Sequence, residues 1–118
     1  MYGKKVWTIA DGFMASTSSG GFDSHEAVCV LNLSGERAEI NISIYFEGQD
    51  ALKGFKAYCD NERTNHIRLD KITNDKGEKI PKDIPYAILV ESSVPVICQH
   101  SRMDVTQSDM TLMTTIAY

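Results

Sequence analysis

The 118-residue sequence has few cysteines, few prolines, no long hydrophobic run and no excess of positive charge. Its three cysteines, Cys29, Cys59 and Cys98, form no Cys-x-x-Cys pair, which argues against a zinc ribbon or a thioredoxin-like site. No stretch of 18 apolar residues occurs, and the N-terminus lacks the apolar core of a signal peptide. We therefore expect no membrane insertion, a cytoplasmic location and free thiols.

The charge balance also restricts the partners. Twelve basic and sixteen acidic residues give a net charge of −4. A nucleic-acid-binding protein usually concentrates positive charge, so DNA is disfavoured as a partner. A chain of this length can bury about two thirds of its surface on folding. The composition therefore predicts one domain, residues 1–118, with a hydrophobic core that needs neither disulfides nor metal.

Hydrophobic alternation with a period of two is the clearest pattern. Between Ala38 and Phe46, the isoleucines Ile40, Ile42 and Ile44 alternate with polar residues, which predicts a half-buried strand. Residues 27–31 form a continuous apolar run, typical of a strand covered on both faces. The turn-forming residues between the two segments predict that they pair as a hairpin.

The remaining pattern indicates further short strands separated by turns. Strands are expected at residues 5–10, 55–60, 65–69, 86–91, 96–102 and 110–117. A turn is expected at Ser92-Ser93-Val94-Pro95, and one or two helical turns over residues 104–113. About eight strands with short connections predict an all-β fold, a β-sandwich or jelly-roll.

One connection is longer than the others. Residues 12–24 are rich in Ser, Thr and Gly, and a loop of this length is uncommon unless it is functional or mobile. Two interpretations stay open, a flexible surface loop and a lid or interface arm.

The polar residues do not form a recognisable catalytic or metal site. The three histidines include no His-x-His pair, and the adjacent His25 and Glu26 would point to opposite faces of a strand. Glu26 and Asp104 are the acids best placed for general acid–base chemistry, but nothing in the sequence pairs them. No nucleophile-elbow signature is present. We therefore expect no metal, no cofactor and no enzymatic activity.

Polar residues alternate along two of the predicted strands. His66 shares a strand face with Arg68, and His100 shares one with Arg102. If these strands are neighbours, Arg63, Arg68 and Arg102 meet on one surface, which would suit carboxylates, phosphates or sugar hydroxyls. The alternative is that these arginines form ion pairs that hold strands or subunits together, with Glu26, Asp70 and Asp104.

Eight segments in order resemble the Anabaena sensory rhodopsin transducer family along nearly the whole chain. They are Trp7-Thr8-Ile9-Ala10-Asp11-Gly12-Phe13, Ser24-His25-Glu26, Leu31-Asn32, Ile44-Tyr45-Phe46, Arg63-Thr64-Asn65-His66-Ile67-Arg68, Ile80-Pro81 with Pro85-Tyr86-Ala87, Gln99-His100-Ser101-Arg102-Met103-Asp104, and Thr115-Ile116-Ala117-Tyr118. Two features depart from the family pattern. Met14-Ala15-Ser16 stands where members often carry proline, and Glu62-Arg63 stands where the rhodopsin-linked type has two arginines.

The resemblance implies a small β-sandwich that forms a homotetramer and acts as a non-enzymatic sensor or ligand-binding module. Its ligand would be a carbohydrate or a small anionic molecule. The alternative is a signal transducer that docks a sensory rhodopsin or another membrane receptor, or a DNA-binding regulator, and the loss of an arginine at position 62 weakens the DNA branch. The ligand-binding residues implied by the motifs are Trp7, as an aromatic platform, with His25, Glu26, Asn32, Arg63, His66, Arg68, Gln99, Arg102 and Asp104.

Overall fold

The computed structural model describes residues 1–17, 23–106 and 111–118, and this part of the chain contains strands and no helix. The strands are β1 (Lys4–Gly12), β2 (His25–Asn32), β3 (Ala38–Phe46), β4 (Leu52–Cys59), β5 (Arg63–Arg68), β6 (Tyr86–Asp104) and β7 (Thr111–Ile116). The all-β prediction is confirmed, with seven strands where about eight were expected. A search of the described residues finds no helix long and apolar enough to cross a membrane.

A single 19-residue strand, β6, replaces the two strands that were predicted on either side of Ser92-Ser93-Val94-Pro95. The turn prediction is wrong because the chain changes pairing partners there instead of reversing direction. The ladder with β3 ends at Ser92, and the ladder with β2 begins at Ile97. Pro95, which has no N–H to donate, lies in the interval between these two ladders, where its missing donor does no harm.

β6 therefore belongs to two antiparallel sheets. The first half of β6 pairs with β1 and β3, and β4 extends that sheet; the second half pairs with β2 and β7, and β5 extends the other. We refer to these as the first sheet and the second sheet. The inner faces of the two sheets share one hydrophobic core, which gives the β-sandwich that the series of short strands predicted.

The predicted hairpin between residues 27–31 and 38–46 does not form. β2 lies in the second sheet and β3 in the first, so the intervening residues carry the chain from one sheet to the other. Asn32 anchors this crossing: its buried side-chain amide donates to the carbonyls of Glu36 at 2.7 Å and Cys59 at 2.8 Å. Turn-forming residues are compatible with either connection, and the side-chain amide bonds stabilise the crossing.

The core lies between the inner faces of the sheets. Ile40, Ile42 and Ile44 all point into it, which confirms the alternation predicted for β3. β2 contributes Val28 and Val30, which are fully buried. The core covers the inner face of β2, which Glu26 shares with these two valines. The prediction that both faces of this strand are covered is wrong at Leu31, which is exposed on the other face.

The prediction of helical turns over residues 104–113 is wrong where the structure describes them, because Asp104 ends β6 and Thr111–Met113 begin β7. Residues 107–110 lie outside the described residues. The long connection from Gly12 to His25 is described in part: Met14 is buried, and its carbonyl accepts a hydrogen bond from the Asp83 amide at 2.7 Å. Residues 18–22 are outside the described ranges, so the lid or interface arm stays a prediction.

Candidate functional site

A buried carboxylate lies at one end of the sandwich. Glu26 is on the same face of β2 as Val28 and Val30, and its side chain is 0% exposed. An ionised carboxylate in such surroundings is costly unless hydrogen-bond donors compensate it. The residues that surround Glu26 supply those donors.

Donors from three different parts of the chain converge on this carboxylate. The Tyr86 hydroxyl donates to Oε1 at 2.5 Å, and the Arg102 Nε donates to Oε2 at 2.7 Å. The Phe13 backbone amide also donates to Oε2, at 2.8 Å. His100 Nε2 lies 3.1 Å from Oε1, a close polar contact in which the two groups are not aligned for a hydrogen bond. We call Glu26, Tyr86, His100 and Arg102 the Glu26 cluster.

The cluster keeps its carboxylate ionised. Burial alone would raise the pKa of Glu26, but the surrounding polar groups outweigh burial, with the largest effects from His100 and Tyr86, and lower its pKa below the ordinary value. Burial and the neighbouring negative charge raise the pKa of the Tyr86 hydroxyl, so that it keeps the proton that it donates. The cluster is therefore one buried carboxylate compensated by a guanidinium and by neutral hydrogen-bond donors.

We expect this arrangement to make the stability depend on pH in the acid range. Because the pKa of Glu26 is lower in the folded protein than its ordinary value of 4.5, the unfolded chain takes up this proton first as the pH falls. The stabilisation that ionised Glu26 contributes is complete above its ordinary pKa of 4.5 and is lost as the pH falls through its folded-state pKa. In that range the free energy of unfolding changes by at most about 1.4 kcal/mol per pH unit through this group. Urea unfolding at several pH values below 6 should show a steeper acid loss for the wild type than for Glu26→Gln. Equal slopes in the two proteins would contradict this assignment.

Next to the cluster, a cleft of about 290 Å³ lies between β1 and β7. Thr8 and Tyr118, which both line it, are joined by backbone hydrogen bonds. At Asp11, the Arg102 Nη2 contacts the backbone carbonyl at 3.3 Å and the carboxylate at 3.4 Å. His100, 1% exposed, is the most buried of the lining residues. We call this space the β1–β7 cleft.

The β1–β7 cleft combines polar and apolar groups. The Asp11 side chain is 85% exposed and its contact with Arg102 is long, so its carboxylate remains free to accept further hydrogen bonds. Met113 and Ile116 supply exposed apolar surface on the opposite wall. Such a mixture suits a small ligand that has both hydroxyl groups and apolar faces.

Of the residues implied by the family motifs, Glu26 and Arg102 come together in the cluster. The prediction that His100 and Arg102 share a strand face is confirmed by their common contact with Glu26. The prediction that Arg63, Arg68 and Arg102 meet is wrong, because β2 lies between β5 and β6.

The strand registers show how the three arginines are separated. Arg102 lies opposite Glu26, whereas Arg68 lies opposite the adjacent Ala27 and therefore on the other face of the second sheet. Arg63 shares a face with Arg102 but lies opposite Asn32, six residues further along β2, or about 20 Å away.

Three of the implied residues have structural contacts of their own. Trp7 is buried, and its indole N–H lies 2.9 Å from the Val96 carbonyl, so the ring is part of the core and not an open platform. Asn32 anchors the crossing between the sheets. Asp104 accepts a hydrogen bond from the Thr106 amide at 3.0 Å and does not contact Glu26.

The other implied residues lie away from the cleft. His66 and Gln99 border a shallow depression on the outer face of the second sheet. Both Nε and Nη2 of Arg68 bind the Asp70 carboxylate at 2.8 Å, which is the ion pair that the alternative interpretation predicted. Arg63 is exposed, and the His25 ring lies 2.8 Å from the carbonyl of Asp23.

Sequence reasoning missed Asp11, Tyr86 and the Phe13 amide. The available signal was the position of Glu26, which alternation places on the inner face of β2 with two valines. A carboxylate there requires buried donors, and the sequence shows that requirement. It does not show that they come from the end of β1 and the start of β6, because only the packing of the two sheets brings those segments together.

Comparison with known proteins agrees with this architecture. The family model described as Anabaena sensory rhodopsin transducer matches residues 2–118. The crystal structure of Thermotoga maritima 1070 is 38% identical and has a TM-score of 0.89, and the match covers 100% of this chain and 96% of that one. The structure of the Anabaena sensory rhodopsin transducer is 32% identical with a TM-score of 0.77, covering 91% and 94% of the two chains. No curated protein matches. The chain belongs to the Anabaena sensory rhodopsin transducer family.

Proposed function

We propose that the protein is a non-enzymatic ligand-binding module and that its β1–β7 cleft binds a small neutral polyhydroxy molecule, a carbohydrate. The observation that carries this proposal is the Asp11 carboxylate, which is exposed at the cleft and lies next to an arginine that Glu26 holds. An available acceptor beside an apolar wall is the arrangement expected for a ligand with hydroxyl groups on a hydrocarbon ring.

His100 joins the cleft to the Glu26 cluster. It is one of the lining residues of the cleft, and its buried Nε2 lies 3.1 Å from Glu26 Oε1. The ring therefore fills the inner end of the cleft, while its nitrogen faces the carboxylate of the cluster.

The charges around the cleft favour a neutral ligand over a small anion. Asp11 contributes a negative charge to the lining, and the described lining residues include no lysine or arginine. The nearby guanidinium of Arg102 is already bound to Glu26. An anion would therefore meet a carboxylate without a free cation to compensate it.

The state of Glu26 supports a non-enzymatic role. A general acid or base needs a pKa near the working pH and access to the reacting proton. The pKa of Glu26 is lowered and both carboxylate oxygens already accept hydrogen bonds. Asp104, the other acid that the sequence nominated, caps a backbone amide instead of facing Glu26.

Ligand binding can be tested by thermal shift with neutral sugars, sugar phosphates and nucleotides at millimolar concentration. At 100 times the dissociation constant, a neutral sugar should stabilise the wild type by about 2.7 kcal/mol. Asp11→Asn should weaken that binding by about 10- to 100-fold, the cost of hydrogen bonds to a charged acceptor. Asp50→Asn, at an exposed position outside the cleft, is the matched control and should bind like the wild type. Stabilisation by sugar phosphates alone, or by no compound, would contradict the proposal.

A second candidate function is signal transduction through a membrane receptor. Family membership favours it, since a structural relative is itself described as a sensory rhodopsin transducer. Cosedimentation with vesicles that contain a sensory rhodopsin, and not with vesicles that lack it, would support this function; equal binding to both would exclude that receptor.

The acidic net charge continues to disfavour DNA as a partner. Both candidates place the protein in the cytoplasm as a homotetramer, as the family resemblance implies.

A further inference from the structure

A shallow trough lies on the outer face of the first sheet, next to the β1–β7 cleft. Its volume is about 210 Å³, and its lining includes the small side chains of Ala10 on β1 and Ala87 on β6. Tyr45 of β3 also lines it and lies directly opposite Ala87 in the strand register. Residues opposite each other on neighbouring strands share one face of the sheet, so the Tyr45 ring lies beside a low floor of alanine side chains. We call this space the Tyr45 trough.

A β-bulge in β1 joins the trough to the cleft. The pairing of β1 with β6 shifts by one residue between Ile9 and Gly12. Ala10 and Asp11 therefore both lie opposite Ala87, and bulges of this kind are common beside binding sites because they redirect a side chain. Ala10 lines the trough and the cleft, and Asp11 lines the cleft. The two spaces are thus neighbours across a single strand, and one extended ligand can occupy both.

The Tyr45 ring is available to such a ligand. It is 40% exposed, and the Lys53 ammonium lies 6.0 Å from its centroid, the outer limit of a cation–π contact. The exposed ring of Tyr58 differs, because the Arg37 guanidinium lies only 3.5 Å from its centroid and covers it. An open aromatic ring can pack against the C–H face of a sugar ring while its hydroxyl stays in water.

The charge of the trough matches that of the cleft. Glu47, which is exposed, is the one charged residue in the described lining of the trough. Its carboxylate can accept hydrogen bonds from hydroxyl groups, as Asp11 can in the cleft. Each space therefore combines apolar surface with one acidic acceptor and has no basic lining residue among those described. The same class of neutral ligand suits both.

We propose that the Tyr45 trough is a second sugar subsite, so that the ligand is an oligosaccharide of at least two rings. One ring lies in the β1–β7 cleft at Asp11, and the next crosses the bulge of β1 and packs on Tyr45. This inference rests on the proposed function and specifies the length of its ligand. Tyr45 is then a residue that selects an oligosaccharide over a single sugar.

Isothermal titration calorimetry with glucose, galactose, mannose and xylose, and with disaccharides of each, tests the second subsite. The wild type should bind the disaccharide of its preferred sugar about tenfold more tightly than the single sugar, because the second ring adds an aromatic contact. Tyr45→Ala should remove this gain and leave the affinity for the single sugar unchanged. Tyr45→Phe keeps the ring and should keep the gain.

Two further variants separate the trough from a general effect of substitution. Ala87→Ile fills the trough without removing a ring, and it should abolish the gain as well; an aliphatic side chain beside Tyr45 is a favourable cross-strand pair, so we expect it to fold. Tyr58→Ala removes an exposed tyrosine outside both spaces and should bind both sugars like the wild type. If circular dichroism shows that a trough variant does not fold, amide chemical shifts of Tyr45 and Ala87 in the wild type should change with the disaccharide and not with the single sugar.

The outcomes distinguish this inference from the proposed function. A disaccharide that binds no more tightly than its single sugar would overturn the second subsite and leave the cleft intact. Equal loss of both affinities in Tyr45→Ala would also overturn it, because the ring would then contact the first sugar. A wild type that binds neither sugar would overturn the proposed function and the subsite together.

Discussion

Replacing Glu26 with alanine should lower the free energy of unfolding by about 3 to 5 kcal/mol, the cost of removing one partner of a buried charge pair. The variant would leave the Arg102 guanidinium and the buried Tyr86 hydroxyl without their acceptor. It would also free the Phe13 amide, which ties the segment after β1 to β2. Urea unfolding monitored by circular dichroism gives this free energy directly.

Glu39→Ala is the matched control for this substitution. The Glu39 side chain is 69% exposed, and its ion pair with Arg37 is at the surface. Such pairs contribute little, so the free energy of unfolding should change by less than about 1 kcal/mol. If Glu26→Ala proved no more destabilising than Glu39→Ala, the cluster would not be a stabilising element and the cleft would lose its rigid support.

Gly12→Ala should destabilise the protein by about 3 kcal/mol through the same cluster. A Cβ at position 12 would lie 2.3 Å from a ring carbon of Tyr86, which is too close for two unbonded carbons. The buried ring would have to move, and a moved ring loses its hydrogen bond to Glu26. Overpacking costs about 1–3 kcal/mol, and loss of a hydrogen bond to a charged group costs about 1.5–3 kcal/mol.

Gly48→Ala controls for the general effect of adding a methyl group. No atom lies within 4 Å of a Cβ built at Gly48, so this change should stay within about 0.5 kcal/mol of the wild type. Comparing Gly12→Ala alone with Gly12→Ala in the Glu26→Gln background shows whether the two effects are coupled. Independent, additive effects would show that Tyr86 does not act through Glu26.

These two predictions concern residues that join the sheets at one end of the sandwich. Glu26 belongs to the second sheet, while Tyr86 begins the part of β6 that lies in the first sheet. Arg102 extends from this junction to Asp11 at the proposed ligand site. Arg102 is thus in contact with both the buried Glu26 carboxylate and the exposed end of β1.

Local alternation predicted much of the fold because it depends only on neighbouring residues. The isoleucines of β3 had to share a face once the segment was extended, and β3 has the predicted bounds, Ala38–Phe46. The same rule placed His25 and Glu26 on opposite faces, and the structure has one half-buried and the other fully buried. The failures were in strand pairing: the predicted hairpin, and the turn within β6.

The sequence by itself determined the β-class and the inner face of β3. Both follow from residue type and a period of two, without reference to distant residues. The tertiary structure decided that β6 serves both sheets, and so which arginine reaches Glu26 and which is directed to the opposite face. Pairing between strands far apart in sequence depends on the free energy of the whole packed core, so no local pattern specifies it. The cysteine spacing and the acidic net charge argued against a zinc ribbon, a thioredoxin-like site and DNA binding, but the cleft exists only where distant strands meet.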